Sequence, residues 1–181
     1  MLPENVEAMD NLFMTSKDVL FHIPSVVDDR TPLPQYQGFN RQKFILDLRD
    51  LKLMNSVGIR AWVHWIRSFH SPNEVRLVNC PVIFLNIASI VSDVVPNGVR
   101  IDSMILRYVN EESGATLRCL LQRPTTDTWR IPETLTHQGQ TYEFDGILSK
   151  TLGRLKGETE LLETMAEADL AASGLQVLTQ D

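Results

Sequence analysis

Cysteine is nearly absent from this chain of 181 residues: Cys80 and Cys119 are the only two, too few for a disulfide framework or a four-cysteine zinc site. Long apolar runs are missing as well, none approaching the ~20 residues that a membrane-crossing helix needs, so no membrane insertion is expected. Basic charge is in deficit. Seventeen Lys and Arg stand against 23 Asp and Glu, a net charge of -6. This removes the counterion release that drives sequence-independent binding to nucleic acid or to anionic membranes, and no nucleic-acid partner is expected. There is no Gly-rich phosphate loop of dinucleotide or P-loop type. No two histidines share a face at metal-ligand spacing: His64 and His70 would point about 120° apart on a helix, and His22 and His137 have no evident partner. No cofactor and no bound metal are expected. Met1–Asn5 has neither a basic start nor an apolar stretch, so it does not look like a signal peptide, and a reducing, cytoplasmic setting is the expectation.

What is present is an ordinary globular composition, 43% apolar and 22% charged with a mean hydropathy of -0.10. Val19–Ile23 reads as a strand stopped by Pro24, and Lys43–Leu48, apolar on both faces, as a central strand covered by helices. At about 100° per residue, Ile59, Trp62, Val63, Ile66 and Phe69 fall on one arc, and Arg60, His64, Arg67 and Ser68 on the other. That pattern predicts an amphipathic helix over 58–70, ended by Pro72–Asn73. Val75–Asn79 reads as a strand, and Pro81 opens a second helix over 82–94. Val99–Val109 and Ala115–Leu121 read as a hairpin around the polar turn 110–114.

This order predicts an α/β protein, a mixed sheet with both helices on one face. Beyond it, residues 122–146 read as short extended pieces with turns at Pro124, Pro132 and Gly139, and 147–156 as a short helix. Residues 158–181 hold Glu158, Glu160, Glu163, Glu167, Asp169 and Asp181 with no Lys or Arg. They read as an acidic helical tail, docked or frayed, loosely held because like charges on adjacent turns repel. The expected division is a domain over 1–110, an extension of hairpin and short helix over 111–157, and the tail over 158–181.

Few residues carry candidate chemistry. Cys80, before Pro81, reads as a small buried hydrophobe, with a nucleophile as the minor alternative. Asp47 and Asp50 form a carboxylate pair, but nothing in the sequence raises either pKa; Asp47 reads as bonded to a loop backbone. The informative stretch is Leu51–Arg60. A strand, a short loop and Asn55–Ser56 ahead of an amphipathic helix put a hydroxyl at the N-cap, where free amides and the positive helix end meet. Ser56 is therefore a cap, a phosphate acceptor, or both.

The run Phe44-Ile45-Leu46-Asp47-Leu48-Arg49-Asp50-Leu51-Lys52-Leu53-Met54-Asn55-Ser56-Val57-Gly58-Ile59 resembles the core motif of STAS domains, the sulfate-transporter and anti-sigma-factor-antagonist modules. With the element order around it, the resemblance covers about residues 15–110. Asn55 stands where the family usually has Asp, and Val57 where it has Ser or Thr. The resemblance implies a STAS-like sheet with helices on one face. It also implies a non-enzymatic signalling module of bacterial regulation in which Ser56 matches the phosphorylated serine of the antagonist branch. The partner would be an anti-sigma factor, a serine kinase or another regulatory protein, and oligomers are possible. The expected partner surface is Met54, Asn55, Ser56, Val57, Gly58, Arg60, His64 and Trp65, with Trp65 either a core residue or an anchor. The alternatives are a STAS-like accessory subunit of a lipid-transport ABC complex, or a constitutive scaffold without a phospho-switch.

Overall fold

Two sheets share one hydrophobic core in the computed structural model, which describes residues 7–9, 12–14, 18–34, 43–69, 74–126, 128–146, 148–155, 158–170 and 172–180. His70, the Pro72–Asn73 break, Gly157 and Asp181 lie outside them. In chain order the first part comprises β1 (Glu7–Met9), β2 (Leu12–Met14), β3 (Asp18–His22), β4 (Val26–Val27), β5 (Lys43–Asp47), β6 (Leu53–Met54), α1 (Ser56–Arg67), β7 (Glu74–Val78), β8 (Cys80–Pro81), α2 (Val82–Ile90) and β9 (Val99–Ile101). Then follow β10 (Ser103–Val109), β11 (Thr116–Gln122), β12 (Trp129–His137), β13 (Gln140–Phe144), α3 (Leu148–Thr151), β14 (Thr159–Met165), α4 (Glu167–Leu170) and β15 (Leu175–Gln180).

The first sheet has six strands in the order β1-β2-β3-β5-β7-β9. β3, β5, β7 and β9 run parallel, and β1 and β2 add an antiparallel hairpin at the β3 edge. The chain is thus mixed α/β, as its alternation of strand and helix predicts. The apolar arc of α1 is buried as expected: Trp62, Trp65 and Ile66 are in the core, and Ile59, Val63 and Phe69 are half-buried against it. Its aromatic rings meet those of the sheet, with Phe21 at 5.8 Å from Trp65 and Phe44 at 4.8 Å from Phe69. The two helices touch each other. Trp62 packs edge-on against Phe84 of α2 at 5.5 Å, and its Nε1 donates to the Val94 carbonyl at 2.9 Å. The second helix is shorter than the expected 82–94: it stops at Ile90 and gives way to a 3-10 turn at Ser92–Val94. The β-branched run Ile90-Val91 there favours extended backbone, which Val91 adopts at φ -112, ψ 95.

Three expectations are corrected. First, Val99–Val109 is two strands in two sheets. Asp102 breaks it: its N–H donates to the Leu77 carbonyl in the first sheet at 2.8 Å, and its carbonyl accepts from Arg123 N–H beside the second at 2.7 Å. Its carboxylate, held by Arg76 at 3.0 Å and Arg100 at 2.7 Å, satisfies charges that would otherwise crowd this corner. The boundary between the sheets therefore falls at Asp102. Second, Pro132 marks no turn. It lies inside β12, where pairing with β13 begins only at Thr134, so one flank of the strand needs no proline donor.

Third, among its described residues the acidic tail is helical only in the one turn of α4. β14 pairs parallel with β12, and β15 pairs antiparallel with β11, at the two ends of a seven-stranded sheet ordered β14-β12-β13-β10-β11-β15, with β8 pairing onto β10. The reason is tertiary. Carboxylates that repel along a lone helix meet cations from earlier strands: Arg123 with Glu158 at 2.9 Å and Arg130 with Glu160 at 3.2 Å; Glu167 lies 3.0 Å from His137 Nδ1. Met165, Leu170 and Leu175 are buried, and exposed Glu160 and Glu163 give the edge strand the charges that discourage further pairing.

Candidate functional site

The segment Leu51–Arg60 is built onto a small parallel pair rather than onto the main sheet. β6 lies beside β4 with Val26 opposite Leu53 and Val27 opposite Met54. The Lys52 and Leu53 amides donate to the Ser25 carbonyl at 2.7 and 3.1 Å, and the Asn55 amide to that of Val27 at 3.3 Å. Leu51 and Met54 point into the core and fix the loop from below. Because neighbours on an extended strand face opposite ways, Leu53 is driven outward and is 50% exposed.

At the helix start the expectation for Ser56 is corrected. Asn55 is the N-cap, extended at φ -83, ψ 177, and its Oδ1 accepts the Gly58 amide at 2.8 Å. Ser56 is the first helical residue and is exposed, and no described residue bonds its hydroxyl. Asn55 needs no carboxylate for this role, because a neutral amide oxygen accepts the cap bond as well. Gly58 is buried for a different reason from partner contact. A Cβ there would sit 1.9 Å from the Val27 carbonyl oxygen, so only glycine lets α1 approach β4.

Of the other candidate surface residues, Met54 is corrected to a core position and Trp65 takes the core one of its two readings, at 6% and 8% exposure. Trp65 also donates its Nε1–H to the Pro34 carbonyl at 2.7 Å. Asn55, Ser56, Val57, Arg60 and His64 remain on the surface, with Val57 at 38% exposure. Val57, Ala61, His64 and Ser68 recur at helical spacing and form one wall of a groove of about 750 Å³, whose other wall is the loop Asp28–Leu33. That loop is pinned at one end by Asp28, whose Oδ1 accepts from the amides of Arg30 and Thr31 and from the Thr31 hydroxyl, each at 2.9 Å. These bonds hold the Asp28 carboxyl below the usual carboxylate range, the Arg30 amide contributing most. The Trp65 bond to Pro34 pins the other end.

Asp47 is a joint rather than half of a working carboxylate pair. Buried at 2% exposure, it accepts from the Arg49 amide at 3.1 Å, from Arg49 Nε at 2.7 Å and from Asn79 Nδ2 at 2.8 Å, with His22 Nδ1 at 3.5 Å. Asp50 is exposed and takes no part in this network. Asn79 in turn receives Ser103: its amide donates to the Ser103 hydroxyl at 2.7 Å. The chain His22–Asp47–Asn79–Ser103 thus ties the ends of β3, β5 and β7 to the second sheet. Cys80, next to it, is fully buried, and burial pushes its thiol well above the ordinary range, with the nearby Asp47 carboxylate adding to the effect. Cys80 is therefore a protonated core residue at neutral pH, not an activated nucleophile. Among the described residues no three His, Cys, Asp or Glu side chains form a metal-holding group, and no helix is long and apolar enough to cross a membrane.

Sequence reasoning missed Leu53, Ala61 and Ser68 as parts of this surface. The alternation around Leu53 and the i, i+4, i+7, i+11 spacing from Val57 were the available signals. Comparison with family models, with curated proteins and with solved structures returned no match for this chain.

Proposed function

We propose that this protein is a non-enzymatic interaction module of STAS type, in which the surface around Ser56 binds a regulatory protein and phosphorylation of Ser56 releases it. One observation carries the reading: Ser56 stands exposed at the first position of α1, its capping role taken by Asn55, between two exposed apolar side chains, Leu53 and Val57. A hydroxyl in that place reaches a kinase without unfolding the helix. A phosphate of charge about -1.5 to -2 there would gain from the positive helix end while placing charge and bulk between the two apolar contacts. The fold is compatible with this reading. The parallel order β3-β5-β7-β9, with α1 between β5 and β7 and α2 between β7 and β9, is the alternation a STAS-like sheet requires.

The test uses the full chain as bait in a native lysate, with parent, Ser56→Ala, Ser56→Asp and Leu53→Asp compared by quantitative mass spectrometry. Under the switch reading one regulatory partner is retained by the parent and Ser56→Ala. Ser56→Asp weakens that partner by more than about tenfold, roughly 1.4 kcal/mol, and Leu53→Asp loses it. Equal capture by all four baits refutes the surface. Loss with Leu53→Asp alone leaves a constitutive scaffold in place of the switch.

A further inference from the structure

A second groove of about 590 Å³ lies where the two sheets meet, between the loop 49–52, the start of α2 and the strands β10 and β11. In a chain of net charge -6 its lining concentrates cations: Arg49, Lys52, Arg107 and Arg118, against the single carboxylate Asp50. Arg107 and Arg118 stand directly opposite each other in the β10–β11 register, so they share a face. Like charges directly opposed across two strands destabilise a sheet. Arg107 is relieved in part by Asp145 at 3.2 Å and Arg49 by Asp47 at 2.7 Å, whereas Lys52 and Arg118 have no ion-pair partner among the described residues. Pro81 supplies no side-chain acceptor at the N-cap of α2, so the positive end of that helix adds to the same field. Ile83 and buried Ile105 line the groove beside the cations, giving it apolar wall as well as charge.

Of the two opposed arginines only Arg107 has a carboxylate partner, so Arg118 adds a repulsive charge to the pair that an anion between them would relieve. We infer that this groove binds the phosphoryl group of a small soluble phosphomonoester, with Arg118, Arg107 and Lys52 on the phosphate oxygens and the organic part against Ile83 and Ile105. Guanidinium pairs suit the geometry of a phosphate, and the groove is in the size range of small-ligand sites, about 300–1,000 Å³. The inference is independent of the Ser56 reading, since none of these contacts involves α1.

The test measures thermal stability and calorimetric binding of the full chain at constant ionic strength. The probes are inorganic phosphate, adenosine 5′-monophosphate and phosphatidic-acid vesicles, with chloride as the screening control. Both soluble probes are expected to raise Tm beyond chloride, the ester more than inorganic phosphate. Arg118→Gln should raise the Tm of the free protein, by removing the opposed charge, and weaken ester binding by roughly tenfold or more. Lys52→Gln should weaken the ester by a smaller factor with little change in the free Tm. The inference is overturned if neither soluble probe exceeds chloride, if only vesicles bind, or if Arg118→Gln binds the ester as the parent does. A fall in the free Tm of Arg118→Gln would overturn the charge-strain argument on which it rests.

Discussion

The two sheets were made in different ways. In the first, each parallel strand after β3 is reached through a local crossover, and the signals are local too: an apolar strand, an amphipathic helix, a proline at a corner. In the second, β10–β11 and β12–β13 are local hairpins, but the remaining neighbours are joined across other elements without a helical repeat: β12 takes β14 as one partner, β11 takes β15, and β10 takes β8 from before α2. The difference teaches that a segment such as Thr159–Met165, helical by composition, becomes a strand when an open edge and opposite charges await it.

The comparison breaks most visibly under core truncation. Ile66→Ala, in α1, and Leu175→Ala, in β15, are each expected to cost about 2–5 kcal/mol, because both side chains are nearly fully buried. Urea unfolding would show it. If Leu175→Ala were nearly neutral while Ile66→Ala was not, the second sheet would be a loose appendage to the first. Hydrogen exchange gives the same answer by another route, since the amides of β14 and β15 that pair with β12 and β11 should be protected well beyond those of a frayed tail.

Gly58→Ala probes the first layer at its closest approach. With a Cβ 1.9 Å from the Val27 carbonyl, either α1 or β4 must move, and a loss of about 1–3 kcal/mol is expected. An unchanged melting temperature would show that the helix start is not seated as described.

Alkaline pH should act on the second sheet through its buried thiols, Cys80 in β8 and Cys119 in β11. Burial pushes Cys119, in β11, from the ordinary 9.0 up to about 12. The folded state therefore binds a proton that the unfolded state gives up, and stability is complete below about pH 9 and falls as pH rises toward 12. The slope approaches about 1.4 kcal/mol per pH unit for one such group. Cys119→Ala should flatten the decline measured by denaturant titration from pH 8 to pH 11; an unchanged slope would remove Cys119 as its source.

The smallest effect separates neighbours. Asn55→Ala should cost about 1 kcal/mol as a lost cap, whereas Ser56→Ala should stay within about 0.5 kcal/mol. Equal losses would return the cap to Ser56.

Much of the first layer could be read from spacing, because helical and strand periods are local properties. The arc from Ile59 to Phe69 is buried as its 100° spacing requires, and Asp47 is the polar joint that a carboxylate within a buried strand must become. At the candidate site the motif was legible but its roles were not. Asn55 and Ser56 are equally good caps by type, and backbone geometry selected Asn55. Trp65 satisfied both the core and the anchor readings until the Pro34 carbonyl claimed its indole N–H.

The sequence by itself determined the alternation of strand and helix, the buried faces of α1 and β5, and the loop that carries Ser56, since each follows from side chains within a few residues of one another. Only the tertiary structure decided that Val99–Val109 divides at Asp102, that the acidic tail supplies both edges of a second sheet, and that Arg107 and Arg118 face each other across it. Those depend on strand pairs and charge partners tens of residues apart, where neither periodicity nor local propensity carries information.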